Sequence, residues 1–108
     1  MRNNEFEKSV IFRFQEKINY SSGGIVSKHV LKTEKGNISL FAFDKGEGLS
    51  EHTAPFDAMV QIIEGIATIT ISEVDYSLKT GDTLIMPANF PHAVFALEKF
   101  KMILTMIR

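Results

Sequence analysis

Imidazole side chains are the clearest chemical groups in this sequence of 108 residues, which contains three histidines and no cysteine. His52 is the last residue of the glycine-rich stretch GEGLSEH, and His92 is the last residue of the proline-containing stretch MPANFPH. Neutral imidazole binds metals and also exchanges hydrogen bonds with ligands. His29 lies in a polar stretch outside both, and we expect it to be exposed or on an edge strand. The sequence therefore predicts one site built on two histidines.

Other kinds of chemistry lack the residues that they need. Without cysteine there is no disulfide, thiolate metal site or cysteine nucleophile. No serine lies in a strand-turn-helix elbow, and the glycines, including Gly23-Gly24, do not form a phosphate-binding loop before a helix. The net charge of −1 provides no field to attract nucleic acid or an anionic membrane, so we expect neither as a partner.

The elements that position the histidines follow a pattern of short strands separated by turns, which is typical of a sandwich or barrel. A hairpin is predicted to join residues 59–63 to 66–71 through Glu64-Gly65, because glycine tolerates the positive φ of a tight turn. No segment shows a helical period over sufficient length, so the predicted fold class is all-β. The further predicted strands cover residues 38–43, 76–78, 83–86 and 101–107.

The N-terminal part, residues 1–37, precedes the predicted barrel at 38–107 within a single domain. Residues 4–17 place apolar side chains four apart, as a helix would. The run VIFRF over 10–14 is also rich in strand-forming residues, and we predict an edge strand there. Such a segment can pair with the sheet of a second subunit, so we expect a homodimer.

Two stretches of the predicted barrel resemble the two motifs of the cupin superfamily. In the first motif, a glycine is followed by His-x-His, a glutamate and a second glycine, and the matching residues are Gly46, His52 and Gly65. In the second, a glycine is followed by Pro-x-Gly, a histidine and an asparagine, and the matching residues are Gly81, Pro87 and His92. The resemblance implies the double-stranded β-helix, or jelly-roll barrel, of cupins. It also agrees with a dimer, since small single-domain cupins are often dimeric.

The resemblance further implies a divalent metal, which cupins usually hold with three histidines and a glutamate. His52 and His92 occupy two of these positions, whereas Ala54 and Ala58 occupy the others. Two imidazoles fall short of a catalytic zinc site or a non-haem iron site. One alternative is a divalent ion (zinc, nickel, iron or manganese) completed by water or a ligand. The other is a histidine pair that hydrogen-bonds water or an anionic ligand.

Of the neighbouring carboxylates, Glu51 and Asp57 face away from the pocket by strand alternation. Glu47 lies in a glycine-rich loop that leaves it free to turn inward, although no pattern in the sequence indicates that it does. Asn89 stands at the glycine position of the second motif, where asparagine also accepts a positive φ. Ala96 replaces the asparagine that ends that motif.

The two alanines leave space, so we expect an enlarged and largely apolar pocket. Nine phenylalanines and five methionines in a chain without tryptophan suggest an aromatic and thioether lining. The predicted pocket residues are Phe43, Ala54, Phe56, Ala58, Met86, Met102 and Leu104.

These observations predict a single-domain protein that binds a small molecule in its barrel. The alternative is a metal-dependent enzyme of the oxygenase, isomerase or lyase kind, with the metal on His52 and His92 completed by water and substrate. An isolated regulator is disfavoured, because there is no DNA-binding helix and no basic surface. We expect a cytoplasmic location, since cysteine is absent, the N-terminus has no signal-peptide core and no apolar run could span a bilayer.

Overall fold

The computed structural model describes residues 5–108. The strands are β1 (Ile25–Thr33), β2 (Gly36–Phe43), β3 (Gly48–His52), β4 (Asp57–Ile71), β5 (Val74–Lys79), β6 (Thr83–Met86), β7 (His92–Phe95) and β8 (Phe100–Ile107). All strand pairs are antiparallel, so the predicted all-β class is confirmed. The one helical element in this range is a 3₁₀ turn at Phe14–Glu16. No helix in residues 5–108 has the length and hydropathy needed to cross a bilayer.

Strand β4 is 15 residues long and belongs to both sheets of the barrel. Its first half pairs with β6 and β8, and these strands together with β1 and β2 form the large sheet. Its second half pairs with β5 and β7, and these together with β3 form the small sheet. The two sheets curl around a shared core, which gives the predicted jelly-roll architecture.

The hairpin predicted at Glu64-Gly65 is wrong, because the chain continues through these residues as one strand. The pairing with β8 shifts register between Ile62 and Glu64, and pairing with β5 begins at Ile66. Gly65 has a φ of 89°. The glycine therefore serves a bulge that redirects β4 from one sheet to the other, and such a bulge has the same local sequence signal as a tight turn.

The inner faces of the two sheets enclose the main core. At one end the rings of Phe43 and Phe100 stack with centroids 4.5 Å apart, and both side chains are fully buried. Strand register orders the inner residues of the large sheet into rows, and the row at the opposite end consists of Asn37, Met106, Ala58 and Met86. This opposite end, where β3 and β6 end and β4 and β7 begin, is named the mouth.

Residues 5–20, named the N-terminal segment, pack across the outer face of the large sheet. Ile18 is only 1% exposed, and it belongs to a second core with Leu40, Ala42 and Ile103. The ammonium group of the buried Lys101 donates to a main-chain carbonyl of this segment at 2.8 Å. The segment thus completes the outside of the barrel with apolar contacts and side-chain hydrogen bonds.

The edge strand predicted at residues 10–14 is wrong. Residues 10–13 have no regular structure, and a 3₁₀ turn begins at Phe14. The segment lies over side chains of the large sheet rather than beside a strand edge, so its backbone has no ladder to join. The competing helix over 4–17 is also absent from residues 5–17, and residue 4 lies outside the described range.

Candidate functional site

His52 and His92 lie side by side at the mouth. They are Cα partners across β3 and β7, with ring centroids 4.4 Å apart and an interplanar angle of 64°. His92 also pairs with Ile71, which is a member of the main core. Because cross-strand partners share a face of the sheet, the histidine pair faces inward. His92 is buried and His52 is exposed, so the pair connects the core with solvent.

Each of the two rings is fixed by a hydrogen bond to the carbonyl group two residues earlier. His52 Nδ1 lies 2.8 Å from the oxygen of Ser50, and His92 Nδ1 lies 3.2 Å from the oxygen of Phe90. A carbonyl oxygen can only accept, so Nδ1 carries the proton and donates in both cases. In the neutral ring, Nε2 then keeps its lone pair. A hydrogen bond from Nδ1 to a carbonyl oxygen is usual for histidines that bind metals through Nε2.

Burial lowers the pKa of His92 below its ordinary range. The neighbouring His52 lowers it further, whereas the hydrogen bond to the Phe90 carbonyl acts in the opposite direction. His92 is therefore neutral near pH 7, and its Nε2 accepts a hydrogen bond or binds a cation. Of the alternatives expected from the sequence, this electrostatic state disfavours an anionic ligand at His92.

An apolar row, formed by Ala58, Met86 and Met106 of the large sheet, lies at the same end of the barrel as the histidines. Ala58 is 4% exposed and lies between Met86 on β6 and Met106 on β8, its two Cα partners. Met86 is buried to the same extent, and Met106 packs against the same core. The loop before β4 is held to the loop before β7 by a 2.7 Å hydrogen bond from the amide of Asn89 to the carbonyl of Ala54.

This arrangement of two sheets, with facing motifs at one end, agrees with a family comparison. The model of the cupin domain family matches residues 39–108. The protein belongs to the cupin superfamily. A search of curated proteins found no match.

Several solved structures superpose on nearly the whole chain. A conserved protein of unknown function from Streptococcus pyogenes is 32% identical, with a TM-score of 0.92 over 97% of this chain and 92% of that one. A cupin superfamily protein from Desulfitobacterium hafniense is 26% identical, with a TM-score of 0.90 over 99% and 98%. A cupin 2 conserved barrel domain protein from Leptotrichia buccalis is 35% identical, with a TM-score of 0.87 over 90% of this chain and 47% of that one.

The donor set of this cupin is two ligands short of the set with which cupins usually hold a divalent metal. Within residues 5–108, no three histidine, aspartate, glutamate or cysteine side chains come together as a metal site. Asp57 instead accepts a hydrogen bond from the amide of Ala88 at 2.8 Å, and both Asp57 and Glu51 are exposed. His52 and His92 thus supply two neutral donors without the carboxylate that would balance a dication.

The predicted pocket residues occupy different depths of this cupin. Those on the strands of the large sheet run from the mouth to the far end in the order Ala58 and Met86, Leu104, Met102, Phe43. Ala54 and Phe56 lie in the loop before β4. The ring of Phe56 lies 5.3 Å from the Arg108 guanidinium and lines an open groove of about 610 Å³ outside the main core.

Polar residues of β2 were not among the sequence predictions for the site. Asn37 and Ser39 share the inner face with Phe41 and Phe43, and Ser39 is 5% exposed. Ser39 Oγ lies 3.3 Å from Nδ1 of His29, which is exposed on the edge strand β1 as expected. The alternation in GNISLFAF contains this signal, but it is hidden when the run is taken as uniformly apolar.

Proposed function

We propose that this cupin binds a small, mainly apolar molecule at the mouth of its barrel, with His52 and His92 as the polar contacts. The observation that carries the proposal is the pairing of two inward-facing imidazoles, 4.4 Å apart between ring centroids, with an apolar row at the same end of the barrel. An apolar site with a few fixed polar groups is the usual form of a small-molecule pocket.

The hydrogen bonds of the pair define which ligand group it accepts. Both Nδ1 atoms are occupied by main-chain carbonyls, so a neutral ring presents an acceptor at Nε2. The matching ligand group is a hydroxyl, an amine or an amide N–H rather than a carboxylate or phosphate. The site is therefore suited to a neutral or cationic compound with an apolar body.

A screen of small alcohols, amines and amides by ligand-observed NMR tests this proposal. We expect hits whose saturation transfer disappears in His92→Ala and in Ala58→Phe, which would place an aromatic ring next to Met86, the cross-strand partner of position 58. The matched control is His29→Ala, which removes an exposed imidazole outside the pair and should keep every hit. Hits that bind all these variants equally would contradict the assignment of the site.

The proposal predicts at most weak binding of a divalent metal, since His52 and His92 are only two ligands. We expect protein purified without chelator, then treated with a mild one, to carry well under one divalent ion per chain by elemental analysis. Stoichiometric iron, nickel, manganese or zinc that resists chelation would contradict it.

The second candidate is a metal-dependent enzyme, which the Nδ1–carbonyl bonds favour because they leave both Nε2 atoms free for a metal. Water and substrate would then complete the ligand set. In that case His52→Ala and His92→Ala would abolish both metal content and turnover, and activity surviving in either variant would exclude this mechanism.

The proposal includes a homodimer in the cytoplasm. A row of side chains on the outer face of the large sheet supports self-association, because its two ends, Leu31 and Ile85, are 54% and 62% exposed. The successive cross-strand partners in this row are Leu31, Ile38, Thr105, Met59 and Ile85. Light scattering should give a mass near twice the 12.1 kDa of the chain, and a monomer would contradict the dimer. Cell fractionation tests the location.

A further inference from the structure

The position at which cupins usually have a carboxylate is flanked by thioethers in this chain. Ala58 stands at that position, and its direct cross-strand partners are Met86 on one side and Met106 on the other. Met86 is 4% exposed, and Met106 packs against the same core. A hard oxygen donor is thus absent at a position that has a soft sulfur donor on each of the two neighbouring strands.

These methionines lie at the same end of the barrel as the histidine pair. Met86 is the last residue of β6 and His92 is the first of β7, so the loop 87–91 alone separates them. His52 ends β3, and Ala58 is the second residue of β4. Ala58, Met86 and Ile71, the cross-strand partner of His92, belong to one buried cluster. The residues that carry the imidazole and thioether groups therefore lie at the same end of the barrel.

We infer that the mouth of this cupin is a site for monovalent copper, bound by Nε2 of His52, Nε2 of His92 and the sulfur of Met86, with Met106 as the fourth donor. Thioether and imidazole are donors that suit Cu(I), whereas manganese prefers oxygen ligands and non-haem iron usually takes a carboxylate beside two histidines. All four donors are neutral, so burying a single positive charge among them costs less than burying a dication. The inference rests on the proposed function only in placing the site at His52 and His92.

Competition for Cu(I) tests the inference. Apoprotein under oxygen-free, reducing conditions is titrated against the coloured complex of Cu(I) with bicinchoninate. Wild-type protein should withdraw one Cu(I) per chain, and Met86→Leu should bind it about 10- to 100-fold more weakly, as is typical of changes at a metal centre. Leucine has nearly the volume of methionine, so packing is largely kept. The control Met59→Leu changes a methionine on the outer face of β4, opposite Ile85 and Thr105, and should match the wild type.

Two further measurements keep the inference testable if Met86→Leu folds poorly. X-ray absorption of the copper-loaded wild type should show sulfur as well as nitrogen ligands, and a shell without sulfur would overturn the inference. Ala58→Glu restores a carboxylate at the position where cupins usually have one, so Zn(II) binding should strengthen relative to Cu(I).

Unchanged Cu(I) affinity in a folded Met86→Leu would also overturn the inference. If Cu(I) fails to bind while alcohols or amines still bind through His92, the proposed function stands and this inference alone is wrong.

Discussion

The backbone of Gly65 on β4 lies against that of Lys99, and a Cβ added to Gly65 would be 2.1 Å from the Lys99 carbonyl oxygen. The added atom would also lie 2.8 Å from Cα and Cβ of Phe100. The point at which β4 passes from the large sheet to the small sheet is therefore open only to glycine, for reasons of space as well as backbone conformation.

Gly65→Ala should lower the free energy of unfolding by about 2 kcal/mol or more, because backbone strain is added to a main-chain clash. The control Gly46→Ala shares the positive φ, 87° against 89°, but nothing lies within 4 Å of its added Cβ. It should lose only about 1 kcal/mol, from the φ strain alone. Urea unfolding curves measure both, and equal losses would refute the role given to the close approach.

Truncation of two isoleucines of the N-terminal segment should change the free energy of unfolding by very different amounts. Ile18 is 1% exposed and Ile11 is 100% exposed. Ile18→Ala should cost about 2–4 kcal/mol, from lost burial and the cavity left behind, whereas Ile11→Ala should stay within about 0.5 kcal/mol of the wild type. Thermal or denaturant unfolding checks both. A small loss for Ile18→Ala would mean that the segment is not part of the cooperative fold.

Acidification should destabilise the metal-free protein through His92. Its pKa is lowered in the folded state, chiefly by burial, and returns to about 6.5 in the unfolded chain. Below that pH the unfolded state takes up a proton that the folded state resists, so the free energy of unfolding falls as pH falls towards the lowered pKa.

The measurement is urea unfolding at about pH 7.5 and 5.5, on either side of the ordinary histidine pKa. The loss of stability between the two should be smaller in His92→Gln than in the wild type, while His29→Gln should lose as much as the wild type. An identical loss in all three proteins would show that His92 does not contribute.

The row of outer-face side chains from Leu31 to Ile85 predicts which substitution should disrupt a dimer. Ile85 is 62% exposed at one end of that row, and Ile85→Lys should place a charge in the contact and shift the protein to monomer. Val74 is 53% exposed at the turn between β4 and β5, and Val74→Lys is the control that should stay dimeric. Sedimentation velocity separates the two, and a dimer that survives Ile85→Lys would place the contact elsewhere.

Much of the barrel could be predicted from local pattern. The predicted strands at 83–86 and 101–107 agree with β6 and β8 to within one residue, because their apolar runs are bounded by Gly81, Pro87 and Lys99. The two wrong predictions arose where a local sequence signal fits more than one structure. Gly65 has the same signal in a bulge as in a turn, and residues 10–14 are as suitable for covering a sheet as for joining one. Only long-range pairing distinguishes these outcomes.

The candidate site was only partly predictable for the same reason. Motif spacing brings His52 and His92 together, and strand alternation directs Asp57 outward, where it bonds to Ala88. The neighbours of Ala58 depend on register between β4, β6 and β8, which no local pattern fixes. Met86 is therefore a predicted pocket residue without a predicted partner, and Ser39 was missed inside an apolar run.

Because β4 forms ladders with β5, β6, β7 and β8, neither sheet can reach its native pairing without it. Its partners come from 3 to about 50 positions away along the chain, so most of its ladder closes only after large loops of chain have been ordered. Such non-local pairing makes folding slow and strongly cooperative. The amides at the centre of β4 should therefore exchange with deuterium only on global unfolding, and the two sheets should open as one unit.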